Sequence, residues 1–299
     1  MLLKIFLVAV FITQIAVAEE KSKFSRATLD GVELDYEIRG AGEPVVFVHG
    51  GFLINGFKPL MDDPNLLKRY RLITYHRAGY GNSTHLKSPV TISDHARHLR
   101  MLLEYLKIPR AHIVGHSSGG SIALQLALDS PGIVNSIVLL ESARPSTMSD
   151  IQKNFSATVS QVAMRTYKAG DKTAATDIWM RGICSPDYRE AMDKAVPGAF
   201  DEAVDGADTF FGQEVPAILE WVLTKDDAAH IKQPILAMLG EKSHPVFRER
   251  RALILGWFSN IEPYDLPNAN HLMQIQNPGG VSAALIKFFT KHPITKTPK

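Results

Sequence analysis

Ser117 stands at the centre of Gly115-His116-Ser117-Ser118-Gly119, and a serine in a Gly-x-Ser-x-Gly pentad can act as the nucleophile of acyl transfer if the chain bends sharply enough to expose it. The three fixed letters alone would arise by chance in roughly one chain in ten of this length. The flanks supply the specificity. Arg110-Ala111-His112-Ile113-Val114 has the length and apolar finish of a short buried strand, and Ser121 to Leu128 reads as a helix closed by Pro131-Gly132. Strand, tight turn and helix follow directly on one another. Ser117 is therefore expected at a strained apex, its hydroxyl turned outward and the first N–H groups of the helix aimed at whatever the oxygen attacks. No Gly-x4-Gly-Lys-Ser/Thr motif is present and no Gly-x-Gly-x-x-Gly follows a strand, which sets a phosphate cradle aside.

A serine hydroxyl is a poor nucleophile at neutral pH and needs a base within hydrogen-bond reach. The chain has 11 histidines. His112 and His116 flank the elbow and read as structural. His95 and His98 lie on a predicted helix at i,i+3 spacing, and His244 and His292 are isolated. None forms HExxH or a comparable ligand set, so neither a metal nor any other cofactor is expected.

The elements that must position these groups alternate. Arg26 to Leu29 and Val32 to Ile38 flank Asp30-Gly31 as a hairpin. Pro44 to Val48, Arg71 to Tyr75, Ala111 to Val114, Ser136 to Leu140 and Pro234 to Leu239 are continuous apolar runs, and Ile261 to Leu266 would add a last strand. Runs of that kind separated by helices, here Ser93 to Leu106, Ser118 to Leu128 and Gly280 to Lys291, indicate a parallel sheet buried on both faces. From Pro145 to Lys232 the alternation stops. Only amphipathic helical segments are found there, Met148 to Ala169, Asp171 to Arg181, Tyr188 to Ala195 and Ala199 to Phe210, punctuated by Pro186, Pro197 and Pro216. A helical insertion between two strands is expected over the strand C-terminal ends, where open α/β sheets bind ligands.

Residues 1–18 read as a leader outside the fold: Lys4 gives a positive start, Ile5 to Ile12 an apolar region, and Ala16-Val17-Ala18 a cleavage site before Glu19. Export to a periplasmic or secreted location is expected, with no stable membrane insertion after cleavage. The single cysteine, Cys184, excludes an internal disulfide. The formal charge of +2 falls by one with Lys4, and so balanced a chain has no electrostatic claim on nucleic acid. A small-molecule substrate and a monomer or homodimer are expected. The tail from His292 to Lys299 is expected to fray.

Four motifs in order, His49-Gly50-Gly51-Phe52, Arg77-Ala78-Gly79-Tyr80-Gly81-Asn82-Ser83, the Ser117 elbow and Asn268-Ala269-Asn270-His271, resemble those of the α/β-hydrolase-fold serine hydrolases with a helical cap. The resemblance covers nearly all of the chain after the leader. It implies a mostly parallel eight-stranded sheet with flanking helices and a cap inserted before the penultimate strand, with 19–144 and 233–299 as core and 145–232 as cap. It further implies His271, in the loop after the last strand, as the base. The family commonly places an aspartate three residues after the glycine at Gly240, but Gly240-Glu241-Lys242-Ser243 has serine there. Some members take the acid instead from the end of the strand before the cap, where Glu141 stands. Glu141 is the first choice, with Glu241 and Asp265 as alternatives. The oxyanion hole needs two backbone N–H groups: Ser118 should give one, and Gly51 or Phe52 the other.

The implied reaction is acyl transfer on a small or medium apolar carboxylic ester. Met164, Trp179, Met180, Phe210, Phe211, Trp221 and Leu223 are candidate pocket walls, and no charge cluster in the sequence points to an anionic substrate. The same triad could instead cleave carbon–carbon bonds, thioesters or lactones, or carry out perhydrolysis. Ser117 argues against haloalkane dehalogenases and epoxide hydrolases, which need aspartate at the elbow, and Phe52 against proline-releasing aminopeptidases, which carry proline there. A non-catalytic binding protein on the same scaffold is the remaining reading, and such proteins usually lack a triad member.

Overall fold

The computed structural model describes residues 24–142 and 149–295. The expected leader, the boundary at residues 144 and 145 and the last four residues of the tail lie outside the described residues.

Eight strands form one sheet in the order β1-β2-β4-β3-β5-β6-β7-β8. β1 (Ser25–Leu29) and β2 (Val32–Arg39) form the hairpin, and β2 runs antiparallel to β4 (Tyr70–Tyr75). The other pairings are parallel, joining β3 (Glu43–Val48), β5 (Ala111–His116), β6 (Val134–Leu140), β7 (Ile235–Gly240) and β8 (Ile261–Leu266). The apolar runs are continuous because both faces are covered. Val46, Val48, Ile113 and Ile137 pack into one core with helices Ile92–Tyr105 and Ser118–Asp129. Their alternates Val45, Phe47, Val114 and Val138 pack into a second core with helix Pro278–Lys291.

Between β6 and β7 the described residues are helical, from Asp150–Phe155 to Lys225–His230. The segment read as one helix over 199–210 is broken at Gly206, where a Cβ would come within 3.2 Å of Phe52. Two π-helical turns, Ser156–Ser160 and Phe210–Glu214, were not foreseen. Nor was helix Pro245–Leu255 between β7 and β8, which buries Val246, Phe247 and Ile254. Among the described residues, no helix is long and apolar enough to cross a membrane.

Candidate active site

β5 ends at His116 and the next helix starts at Ser118, which leaves Ser117 alone to make the turn, at φ 51° and ψ −123°. A non-glycine residue in that region stores roughly 1–3 kcal/mol of strain. The flanking glycines are required by space. A Cβ on Gly119 would run into the Val48 carbonyl oxygen of β3, and one on Gly115 would come within 2.5 Å of the backbone of Gly119 and Gly120. The Ser117 N–H donates to the Leu140 carbonyl at 3.0 Å and ties the elbow to β6.

Glu141 follows β6 directly, at φ 49°, and its side chain is fully buried. Its Oε2 lies 2.9 Å from His271 Nδ1, while Oε1 accepts the Gly240 N–H at 2.8 Å and the Ser243 hydroxyl. The serine standing where the family commonly has its acid thus bonds the carboxylate expected to take its place. An ionised carboxylate can only accept, so His271 carries its proton on Nδ1 and keeps Nε2 as a base. Glu241 is exposed and accepts the Asn268 N–H at 3.1 Å. Asp265 is 72% exposed and paired with Arg251 at 2.7 Å. Neither is hydrogen-bonded to His271.

His271 is fixed on several sides. Phe247 stacks on its ring at 4.2 Å and 11°, and His116 donates from Nε2 to the His271 carbonyl at 2.8 Å. Burial, reinforced by the neighbouring His271, holds His116 well below the ordinary histidine range, so it acts as a neutral prop. The Asn270 side chain bonds Ser185 at 3.0 Å and the Leu272 N–H at 3.0 Å, locking the loop. Ser117, His271 and Glu141 line one cavity of about 430 Å³. No hydrogen bond joins Ser117 to His271, and catalytic bonds of this kind often close only around substrate. Burial and the charge of Glu141 push the Cys184 thiol well above its usual range.

The oxyanion candidates separate. The Gly51 N–H already donates to Ser118 Oγ at 3.0 Å, whereas the Phe52 N–H has no partner among the hydrogen bonds of the described residues. Gly51 sits at φ 45°, and a Cβ there would be 2.9 Å from the Phe210 ring. Its carbonyl accepts from His49 Nδ1 at 3.1 Å and from Arg77 Nη2 at 3.2 Å.

Behind this turn lies a cluster the sequence did not announce. Arg77 is 0% exposed and bonds both oxygens of Glu214 through Nη2, at 2.8 and 2.9 Å. The hydroxyls of Tyr80 and Ser118 donate to the same carboxylate. Burial opposes the Arg77 charge, but Glu214 outweighs it and Arg77 stays above its ordinary pKa, while burial and Glu214 push Tyr80 well above its own. Arg77 and Tyr80 stood in a motif already singled out. Glu214 carried no signal, because its partner is 137 residues away in the chain.

Of the expected walls, Met164, Trp179, Met180 and Phe210 line the cavity. Phe211 is instead buried in the cap core, and Leu223 and Trp221 pack against the main core, where Trp221 donates to Gln125 at 2.8 Å. The expectation of no charge cluster is also revised. Arg165, Lys168 and Arg250 line the cavity alongside a single carboxylate, Glu141. They come from two separate helices, so no run of charge was visible in the sequence. Among the described residues no group of histidine, cysteine and carboxylate side chains is placed to hold a metal.

The family model of the alpha/beta hydrolase fold matches residues 43–278. Over 117 residues the chain is 36% identical to the dihydrolipoyllysine-residue acetyltransferase component of the acetoin cleaving system of Cupriavidus necator, covering 38% of this chain and 30% of that protein. The chain spans less than half the length of the curated relatives it matches. Among solved structures, the enol-lactonase from Burkholderia xenovorans LB400 superposes with a TM-score of 0.75 at 20% identity, covering 89% of this chain and 100% of that one. A thermophilic esterase from Thermogutta terrifontis gives 0.74 at 20% identity, with 91% and 100% covered. These two share the fold with this chain.

Proposed function

The chain belongs to the alpha/beta hydrolase fold family, and on that premise we propose that it is a serine hydrolase of small or medium carboxylic esters. Ser117 is the nucleophile, His271 the general base and Glu141 the residue that orients and charges it. The observation that carries this reading is the buried 2.9 Å contact of Glu141 with His271 in the cavity that Ser117 also lines.

His271 Nε2 takes the Ser117 proton as the oxygen attacks the ester carbonyl, and Glu141 stabilises the imidazolium that forms. The oxyanion is received by the amides of Ser118, first in its helix, and Phe52, each such donor being worth about 3 kcal/mol in the transition state. His271 then protonates the leaving alcohol, and water reverses the steps on the acyl-enzyme. The apolar walls of Trp179, Met180 and Phe210 suit an acyl chain, and Ser156, Ser160 and Gln161 give the polar end of a substrate a hydrogen-bonding wall. Export in a form beginning at Glu19 belongs to the same reading, and the intact mass of the protein recovered outside the cytoplasm tests it.

Treatment with a fluorophosphonate followed by peptide mapping is expected to place one adduct on Ser117, with loss of p-nitrophenyl ester turnover in proportion. No adduct, or an adduct elsewhere, refutes the assignment. A binding protein would show affinity without turnover.

A further inference from the structure

We propose that Glu214, on the cap, is a positioning residue for the oxyanion hole: through Arg77 it holds the carbonyl of the Gly51–Phe52 peptide, through Ser118 it holds the Gly51 N–H of the peptide before it, and together these aim the Phe52 N–H. The inference rests on the acyl-transfer reading of the site.

The directions of the bonds follow from chemistry. A carboxylate has no proton to give, so the Ser118 hydroxyl must donate to Glu214 Oε1. Its lone pairs then face the Gly51 N–H, which donates to Ser118 Oγ at 3.0 Å. Arg77 Nη2 is divided between both Glu214 oxygens and the Gly51 carbonyl, at 3.2 Å from the latter. His49 completes the hold. Its Nε2 accepts the Arg77 N–H at 3.1 Å, so its proton is on Nδ1 and points at the same Gly51 carbonyl. Burial and the nearby Arg77 charge keep His49 well below the ordinary histidine range, consistent with that single tautomer.

A peptide unit is planar and trans, so its N–H points opposite its C=O. With the Gly51 carbonyl held by Arg77 and His49, the direction of the Phe52 N–H is set. Gly51 alone would not hold it, since glycine at φ 45° is conformationally permissive. Glu214 is 2% exposed and is the only carboxylate that Arg77 meets in an ion pair among the described residues. Seating the cap and aiming the donor are therefore one event.

The test compares an Arg77→Met/Glu214→Leu double variant, Ser118→Ala, and the triple variant. All are normalised to fluorophosphonate-titrated sites and assayed with p-nitrophenyl butyrate and a trifluoromethyl ketone inhibitor. Replacing both charges leaves no unpaired buried charge, but the Tyr80 and Ser118 hydroxyls lose their acceptor, so a lowered melting temperature is expected and kinetics are read only on the folded, titrated fraction. Its kcat is expected to fall about 10- to 100-fold with KM nearly unchanged, the scale of a misplaced catalytic group. Inhibitor affinity should weaken by the same factor. Ser118→Ala, which leaves the ion pair intact, should reproduce the loss, and the triple variant should add little. A folded double variant, or Ser118→Ala, with wild-type kcat overturns this proposal alone. A wild-type protein that takes no label at Ser117 and turns over no ester overturns the functional reading with it.

Discussion

Glu141 does two things for His271 that a distant charge could not: it fixes the tautomer and sits fully buried, with two further donors satisfying its second oxygen. Glu141→Gln keeps the shape but offers an amide N–H where the imidazole N–H must point. We expect kcat to fall about 10⁴-fold, as when a triad carboxylate is neutralised elsewhere, and Glu241→Gln to stay within about twofold of the wild type because Glu241 faces solvent. Steady-state kinetics on one p-nitrophenyl ester decide it, and the reverse ranking of the two variants would move the acid to Glu241. Ser117 was legible from its pentad and flanks. Glu141 was legible only as a residue at a strand end with a serine occupying the usual acid position. What brings it to His271, the approach of the β6 end to the loop after β8, is a long-range fact. Glu214 left no trace at all, since a lone glutamate before Val215-Pro216 in a helical segment looks like any solvated one.

The strands were readable because β3, β5, β6 and β7 bury both faces, which forces near-continuous apolar letters. Helix Pro245–Leu255 was not, since Arg248-Glu249-Arg250-Arg251 hides the few positions it buries. The π turn at Phe210–Glu214 shifts the helix face within a few residues: Phe210 lines the cavity while Glu214 reaches Arg77. Such turns are frequent at functional sites. Phe210 packs between Phe52 at 4.3 Å and Trp179 at 5.0 Å. Truncating it should lengthen the cavity along that wall. For Phe210→Ala we expect kcat/KM for octanoyl over butyryl p-nitrophenyl esters to rise about 10-fold, the worth of fitting an extra methylene or more in an apolar pocket. An unchanged acyl-length profile would place the acyl chain against another wall.

Five histidines sit where burial disfavours their charged form. Burial lowers His49, His95 and His116 well below the ordinary range, and lowers His76 and His112 to about 4, with Glu43 partly offsetting the effect at His112. In the unfolded chain each returns to about 6.5. Between pH 6.5 and 4 the unfolded state therefore binds more protons than the folded one, and linkage makes stability fall as pH falls through that window. Above pH 6.5 both states are neutral at these sites and the contribution is complete. Each histidine adds up to about 1.4 kcal/mol of lost stability per pH unit, so several acting together should steepen acid unfolding well before the carboxylates titrate. Urea unfolding at pH 7.5, 6.0 and 5.0 is expected to show midpoints that drop progressively at constant m. His76→Gln, which removes one of these sites while leaving a side chain able to reach Asn55, a partner at 3.4 Å from the His76 ring, should flatten the slope by about one proton. Midpoints that stay level from pH 7.5 to 5.0 would mean that these rings take up protons in the folded state and that the interior is wetter than its packing indicates.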